Sequence, residues 1–462
     1  MKLSFHGADR SVTGSCHLIE CAGKRILIDC GLYQGGRELD EENSHAFGFD
    51  PADVDYVLLT HAHLDHCGRL PLLAKRGFRG EIITTAASRE LGRIVLLDAA
   101  HLQEDDARYR ARIAAQSGTN ASPRAPLYSM LDVLNCFDRF GRTAAYDDPF
   151  ELSAGIRVTF LDAGHILGSA SIFLELEDQG RQTSLLFSGD LGRTKQALLR
   201  GPTKPPRAAN VVMECTYGDR LHKPLGPSVD ELYGAITDAF KRGGNIVIPT
   251  FALERAQELL YFLKQGIDQG RLMQSTQVFL DSPMAISATE VMRHHLECLQ
   301  PEIAKLIREG HDPFDLPGLH YTRETSESVA INKVRSGAII MAGSGMCTGG
   351  RVRHHLKHNL SRPESSIVFV GYAANGTLAR TIIDGSTQVN ILGEQVSVQA
   401  QIVTINGFSA HADQAELLAW QQQTGAKRTI LVHGEEEQMR KFQALLPADQ
   451  VEMPEPNQVF EL

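Results

Sequence analysis

Six consecutive residues, His61-Ala62-His63-Leu64-Asp65-His66, hold three imidazoles and a carboxylate, and they directly follow the apolar run Val54 to Thr60 (VDYVLLT). Such a run reads as a buried strand. The polar group therefore falls in a loop at a strand's end, where a rigid scaffold presents reactive side chains. Packing has no use for four polar groups in that place. Imidazole and carboxylate together suit zinc or another divalent transition metal. In an extended segment residues two apart point the same way, so His61 and His63 can grip one ion. Asp65 and His66, past the turn, face a second. The remaining ligands must come from elsewhere. Three candidates sit in Gly-flanked loops at strand ends: His165 in DAGHILGSA, Asp190 in FSGDLGR and His411 in GFSAHADQ. A carboxylate such as Asp190 can bridge two cations and hold them ~3.5–4 Å apart. His17, His101, His222 and His294 read instead as ordinary surface or hydrogen-bonded histidines.

At 462 residues the chain exceeds one core, so two domains or one domain with a large insertion is expected. Its first part is strand-rich. Ser15 to Glu20 and Arg25 to Asp29 form a hairpin, and Glu81 to Thr85, Ile156 to Leu161, Ala170 to Leu176 and Ser184 to Phe187 read as further strands. Ser88 to Arg112 is helical, with Leu91, Val95 and Ala99 on one face, and residues 114–127 are a Ser/Pro/Gly-rich loop. After Asp219 strand and helix alternate, which implies a parallel sheet covered by helices. Hydrophobic content of 42% and charged content of 22% describe a globular protein. No apolar run reaches membrane-spanning length, and MKLSFHGADR is not a signal peptide, so a cytoplasmic location is expected. Eight cysteines without a CxxC pair speak against a zinc ribbon or a disulfide framework. Reduced thiols are expected. A net charge of −10 argues against broad nonspecific nucleic-acid binding, while leaving room for a local basic groove.

HxHxDH after an apolar strand resembles the signature of the metallo-β-lactamase fold, and Asp29 in LIDCG, His165 and Asp190 follow in that superfamily's order. Nearly the whole chain is similar to the β-CASP group of nucleases, which includes the endonuclease subunit of the eukaryotic pre-mRNA 3′-end cleavage factor and its bacterial and archaeal relatives. Glu214 in MECTYGDR, His411 in GFSAHADQ, IPTFALERAQE (248–258), DSPMA (281–285), AGSGM (342–346) and LVHGEEE (431–437) carry the likeness. The resemblance implies an α/β fold: an αββα metallo-β-lactamase sandwich built from residues 1–218 and 380–462. A parallel-sheet β-CASP domain, 219–379, is inserted in it, with substrate in the cleft between the domains. It implies two zinc ions, or manganese, with His61, His63 and His165 on one and Asp65, His66 and His411 on the other. Asp190 would bridge them and Asp29 would support the site. One position departs from the group's fullest pattern. Thr381, in GTLARTII, stands where such members carry a histidine that pairs with the acidic residue equivalent to Glu214, so the proton donor is expected to be missing.

The activity so implied is a metal-dependent ribonuclease. Two zinc ions would activate a hydroxide that attacks the phosphodiester of single-stranded RNA in line and leaves a 5′-phosphate and a 3′-hydroxyl. Endonucleolytic cutting is expected, with Asp29, Asp65, Glu214 and His411 as the catalytic set. A 5′-exonuclease, a DNA nuclease and a thioester or lactam hydrolase are the alternatives on the same metal core. The inserted domain disfavours a small substrate, and the intact ligand set disfavours an inactive RNA-binding scaffold. Phosphate contacts are expected from the Ser344-Gly345 loop, from the basic stretch holding Arg351 and Arg353, and from Arg380. Aromatic content of 6% offers no stacking platform that can be located. RNA is the expected partner, a membrane is not, and a homodimer is compatible.

Overall fold

The computed structural model describes residues 1–35, 37–117, 125–371, 373–374 and 376–462; residues 118–124 of the expected 114–127 loop lie outside the described residues. The chain divides into two compact units, Met1–Leu221 with His411–Leu462, and His222–Ala410.

The first unit packs two seven-stranded sheets face to face. In one, Lys2–Phe5, His17–Cys21 and Lys24–Ile28 run antiparallel. Tyr56–Leu58, Glu81–Thr85 and Phe140–Ala144 extend it in parallel, and Val459–Glu461 pairs with its other edge. In the other, Phe150–Ser153, Ile156–Asp162, Ala170–Asp178 and Arg181–Phe187 are antiparallel, and Asn210–Glu214, Arg428–Val432 and Val451–Glu452 continue in parallel. Alternation along the strands sends Leu3, Phe5, Ile19, Ile26 and Ile28 against Val158, Phe160, Ile172, Leu174 and Phe187. The opposite faces are apolar too, because helices cover them. Gln414–Thr424 and Glu436–Gln443 bring Leu417, Trp420, Met439 and Phe442 onto Leu186, Val211, Met213 and Leu431. Each such fully buried side chain contributes about 1.5–3 kcal/mol. Strand directions matter most for function. Lys24–Ile28 and Tyr56–Leu58 end at one edge of their sheet; Ile156–Asp162, Arg181–Phe187, Asn210–Glu214 and Arg428–Val432 end at one edge of theirs.

The second unit is a parallel six-stranded sheet in the order Leu319–Tyr321, Gln277–Asp281, Ala338–Ala342, Ile246–Pro249, Ser366–Val370, Gln401–Ile405, with helices such as Leu225–Lys241, Arg255–Asp268 and Val352–Asn359 in its connections. Here the expected return to the sandwich near residue 380 is corrected. Gln401–Ile405 pairs with Ser366–Val370 as an edge strand. The hairpin Gln388–Ile391/Glu394–Ser397 adds Val389, Ile391 and Val396 to the core of this unit. The chain therefore stays in the second unit until Ala410. Among the described residues no helix is long and apolar enough to cross a membrane.

One residue of this unit sits against the grain of its surroundings. Glu254 precedes the helix Arg255–Asp268 at φ +65°, an uncommon conformation for a side chain with a Cβ. It is 6% exposed, and its Oε2 has no hydrogen-bond partner. Burial, and secondarily Glu258, push its carboxyl up to about 8, against the pull of Arg255. The unfolded chain releases this proton near the ordinary value of 4.5, so folding stability falls as pH rises from there to about 8 and levels off above it. We expect Glu254→Gln to stabilise the protein increasingly between pH 5 and pH 8, by on the order of 3 kcal/mol across that range. Denaturant unfolding midpoints at the two pH values check this.

Candidate metal centre

The converging strand ends deliver the site. After Leu58 the chain passes Thr60 and turns into a single helical turn, Leu64–Cys67, with His63 as its N-cap. His61 and His63 thus lie on extended backbone while Asp65 and His66 lie on the turn, so the two pairs face different ways. His165 follows the strand Ile156–Asp162, its amide hydrogen-bonded to Ser169 Oγ at 2.9 Å. Asp190 follows Arg181–Phe187, and His433 follows Arg428–Val432.

Three groups of donor atoms gather, each with its atoms within 4.8 Å of one another: His61, His63, His165 and Asp190; Asp65, His66 and His433; and Asp190, Glu214 and His411. His63 Nδ1 lies 3.1 Å from His61 Nε2 and 3.2 Å from His165 Nε2. Asp190 stands between the first two groups, one oxygen toward each. Its Oδ2 is 3.5 Å from His61 Nε2 and 3.6 Å from His165 Nε2. Its Oδ1 is 3.4 Å from His66 Nε2 and 3.4 Å from His433 Nδ1. Asp190 Oδ1 nonetheless makes no hydrogen bond and is buried. Buried polar atoms are almost always satisfied, so an orphaned carboxylate oxygen ringed by imidazole nitrogens is the donor arrangement a cation fits.

The electrostatics follow from burial and Asp190. Burial holds His61 and His165 well below the ordinary imidazole range and brings His63 down to about 4. Neutral imidazole is the metal-binding form. For His66 burial acts the same way, but Asp190 and Asp29 outweigh it and hold the ring well above that range. Burial alone would raise Asp65; its hydrogen bond to His433 and the charge of His66 lower it instead. Behind the rings, Asp29 Oδ2 accepts from His66 Nδ1 at 2.7 Å, and Asp29 Oδ1 accepts from the Thr60 amide at 2.8 Å. Asp29 is 1% exposed and reaches the site only through these neighbours.

His411 stands apart from the set the resemblance implied. Asp65 and His66 gather with His433, while His411 Nδ1 lies 3.2 Å from Glu214 Oε1. Glu214, 1% exposed, also accepts from the Leu191 amide at 2.6 Å and the Thr216 amide at 3.2 Å. Burial opposes charging His411, but Glu214 prevails and raises it to about 9. This also corrects the expectation at Thr381. Thr381 is on the helix Leu378–Ile383 in the second unit, its hydroxyl donating to the Thr377 carbonyl, and the histidine that pairs with Glu214 is His411. His433 was the residue missed. Its sequence signal was the same as that of Asp190: an apolar strand ending in a polar residue beside a glycine, here within LVHGEEE.

The expected phosphate contacts all fall in the second unit. Ser344 and Gly345 follow the strand Ala338–Ala342, but the next helix starts only at Val352, so the loop is not itself a helix N-terminus. The Arg351 guanidinium is engaged inward, on Asp281 Oδ1 at 2.7 Å and on the carbonyls of Thr322 and Arg323. Asp281 also holds His355 and Ser328. Arg353 is half-buried, and Arg380 forms an exposed pair with Asp384 one turn on, a contact that costs little to break. His17 is a core residue between Phe5 and Phe187, and His101 is exposed.

Comparison with known proteins agrees with this architecture. Residues 10–250 match the metallo-beta-lactamase superfamily, 256–382 the Beta-Casp domain, and 395–453 a Zn-dependent metallo-hydrolase RNA specificity domain. Ribonuclease TTHA0252 of Thermus thermophilus is 40% identical over 447 residues, 96% of either chain. Transcription termination factor FttA of Methanocaldococcus jannaschii is 31% identical over 96% of this chain and 68% of its own. A solved structure from Enterococcus faecalis V583 matches at a TM-score of 0.56 over 100% of this chain and 99% of that one, at 12% identity, a likeness of fold alone. With its sandwich, its inserted parallel sheet and its paired donor clusters accounted for in one pattern, the chain belongs to the metallo-β-lactamase superfamily, in the β-CASP group.

Proposed function

We propose that this protein is a metal-dependent ribonuclease that hydrolyses internal phosphodiester bonds of single-stranded RNA. The observation that carries the reading is Asp190, which turns one oxygen to His61 and His165 and the other to His66 and His433. That division favours two cations, zinc or alternatively manganese: His61, His63 and His165 would hold one, Asp65, His66 and His433 the other, with Asp190 shared. Cations bound there would supply an acidified water and neutralise charge on the phosphoryl oxygens. The RNA substrate is supported by the match to an RNA specificity domain at 395–453 and by the relative named a ribonuclease.

The chain's own residues supply the rest. Among the donor residues, His63, Asp65 and His411 stay partly exposed, whereas Asp190, His66 and Glu214 are sealed, so substrate would approach from the side these three share. With Glu214 on Nδ1, His411 is protonated at neutral pH and would give its Nε2 proton to the departing 3′-oxygen, the task of a general acid. Asp65 would accept the proton of the attacking water. Asp29 and Glu214 orient His66 and His411 without touching substrate.

Metal content distinguishes the two histidines. His433→Ala is expected to lower bound divalent metal from about two ions per chain toward one, while His411→Ala keeps both; equal loss in the two variants would reinstate His411 as a ligand. Activity is checked on 5′-labelled single-stranded RNA beside matching DNA, with and without a chelator. We expect internal cuts in RNA that the chelator abolishes, and a fall of about 10³-fold or more in the double variant Asp65→Ala, His66→Ala. Undiminished cleavage by that variant sinks the mechanism, and products shortened only from the 5′ end sink the endonuclease assignment.

A further inference from the structure

Resting on the two-metal reading above, we propose that Thr60 and Thr216 are positioning residues, one for each ion, whose hydroxyls fix which ring nitrogen of His61 and His433 is free to bind metal.

The argument is a count of protons. Thr60 is 1% exposed, and its Oγ1 lies 2.8 Å from Asp29 Oδ2 and 3.0 Å from His61 Nδ1. A hydroxyl has one proton and a carboxylate oxygen has none to give, so Thr60 donates to Asp29. Its lone pair is then all it can offer His61, and His61 Nδ1 is the nitrogen that carries the hydrogen. His61 Nε2, facing Asp190 Oδ2 and His63, is left bare for a cation. The same carboxylate serves the other cluster, since Asp29 Oδ2 accepts from His66 Nδ1 and thereby leaves His66 Nε2 as the nitrogen turned to Asp190 Oδ1. Thr60 is held in place by its own amide on Asp29 Oδ1.

Thr216 repeats the arrangement from another element. Its Oγ1 lies 3.3 Å from the His433 carbonyl oxygen and 3.2 Å from His433 Nδ1. A carbonyl only accepts, so the hydroxyl proton goes there and the lone pair meets Nδ1–H. His433 Nε2, 3.4 Å from Asp65 Oδ2 and 3.3 Å from His66 Nε2, is the nitrogen turned to the second cluster, where a cation would take the place of the hydrogen it gives Asp65. The Thr216 amide donates to Glu214 Oε2, so this residue also links the His433 ligand to the carboxylate that holds His411. In both places a neutral hydroxyl does the orienting that an outer carboxylate or carbonyl does in other metal sites, and it adds no charge to an interior already crowded with titratable groups.

The test is zinc binding to protein stripped with a chelator, followed by competition with a chromophoric chelator, for wild type and for Thr60→Val, Thr60→Ser, Thr216→Val, Thr216→Ser and the double valine variant. Valine keeps the shape and removes the hydroxyl; serine keeps the hydroxyl. We expect each valine variant to weaken one of the two zinc ions about 10–100-fold, the double variant to weaken both, and each serine variant to bind as wild type. The melting temperature of the metal-free protein should stay near wild type throughout, which separates positioning from a merely structural part. Wild-type affinity for both ions in the valine variants, or serine variants as weak as valine ones, overturns the proposal. Thr216, half-buried, provides a decisive pair of variants even where a buried valine at 60 hinders folding. A wild type that binds fewer than two zinc ions overturns the two-metal reading and this proposal with it. RNA cleavage is not read, so inactivity toward RNA leaves the two questions distinct.

Discussion

The structure of the first unit depends on one buried carboxylate. Asp190 is 2% exposed and has four imidazoles within 3.6 Å. Placing a charge there costs several kcal/mol unless partners answer it. The partners come from three separate stretches, His61 and His66 from one sheet and His165 and His433 from two strands of the other, so the carboxylate can be satisfied only if both sheets bring their strand ends to the same place. This explains why the loops rather than the core carry the histidines. The apolar interface of Ile28, Phe160 and Phe187 sets the spacing of the sheets, and the polar cluster sits where those strands stop. Asp29 repeats the logic one layer back. It ties Thr60 and His66 to the end of its own strand, so the HAHLDH loop is anchored at both ends before any ligand arrives.

Local pattern was enough to read much of this. Glu81–Thr85 has the bounds that alternation and composition gave, and the βα repeat after Asp219 does form a parallel sheet. HAHLDH was legible because four polar groups after a buried strand contradict packing. Lys2–Phe5, Phe140–Ala144 and Val459–Glu461 escaped because they are short and owe their existence to neighbouring strands. The end of the inserted unit escaped for a related reason. Residues 388–405 have the strand composition of either unit, and only pairing with Ser366–Val370 decides between them.

His411 and His433 show where a one-dimensional reading stops. Both are histidines in Gly-flanked loops, and both belong to stretches that resemble the same group. Which of them turns to Asp65 depends on strand order: Arg428–Val432 lies beside Asn210–Glu214 and delivers His433 in register with the end of that strand. His411 instead follows no strand of this unit; it is held by an isolated bridge to Gly192 and by the Ala412 amide on Leu191. That leaves it next to Glu214 Oε1, which the Leu191 amide also contacts. The apparent gap at Thr381 closes because Glu214 finds its histidine further along the chain, at His411.

The location of His411 also bears on how an insertion of 189 residues, His222–Ala410, is tolerated beside a metal centre. Its neck is closed within the first unit: the Gln414 amide donates to the Arg220 carbonyl at 3.0 Å, and the Gln414 side chain donates to the Gly218 carbonyl at 2.7 Å. Loop-closure entropy grows only slowly with length, so the long excursion costs little once these contacts hold the two ends together. Glu214 lies seven residues before the point of departure and His411 is the first residue after the return. Their ion pair therefore closes the same neck, and its geometry depends on both strands of chain being in place. A proton donor made this way exists only when the excursion has folded back, and the same holds for the group of Asp65 and His66 with His433, which also comes from beyond the return. His61, His63, His165 and Asp190 all precede the departure, so the two donor groups have different folding requirements, and the second group shares with the acid its dependence on the insertion.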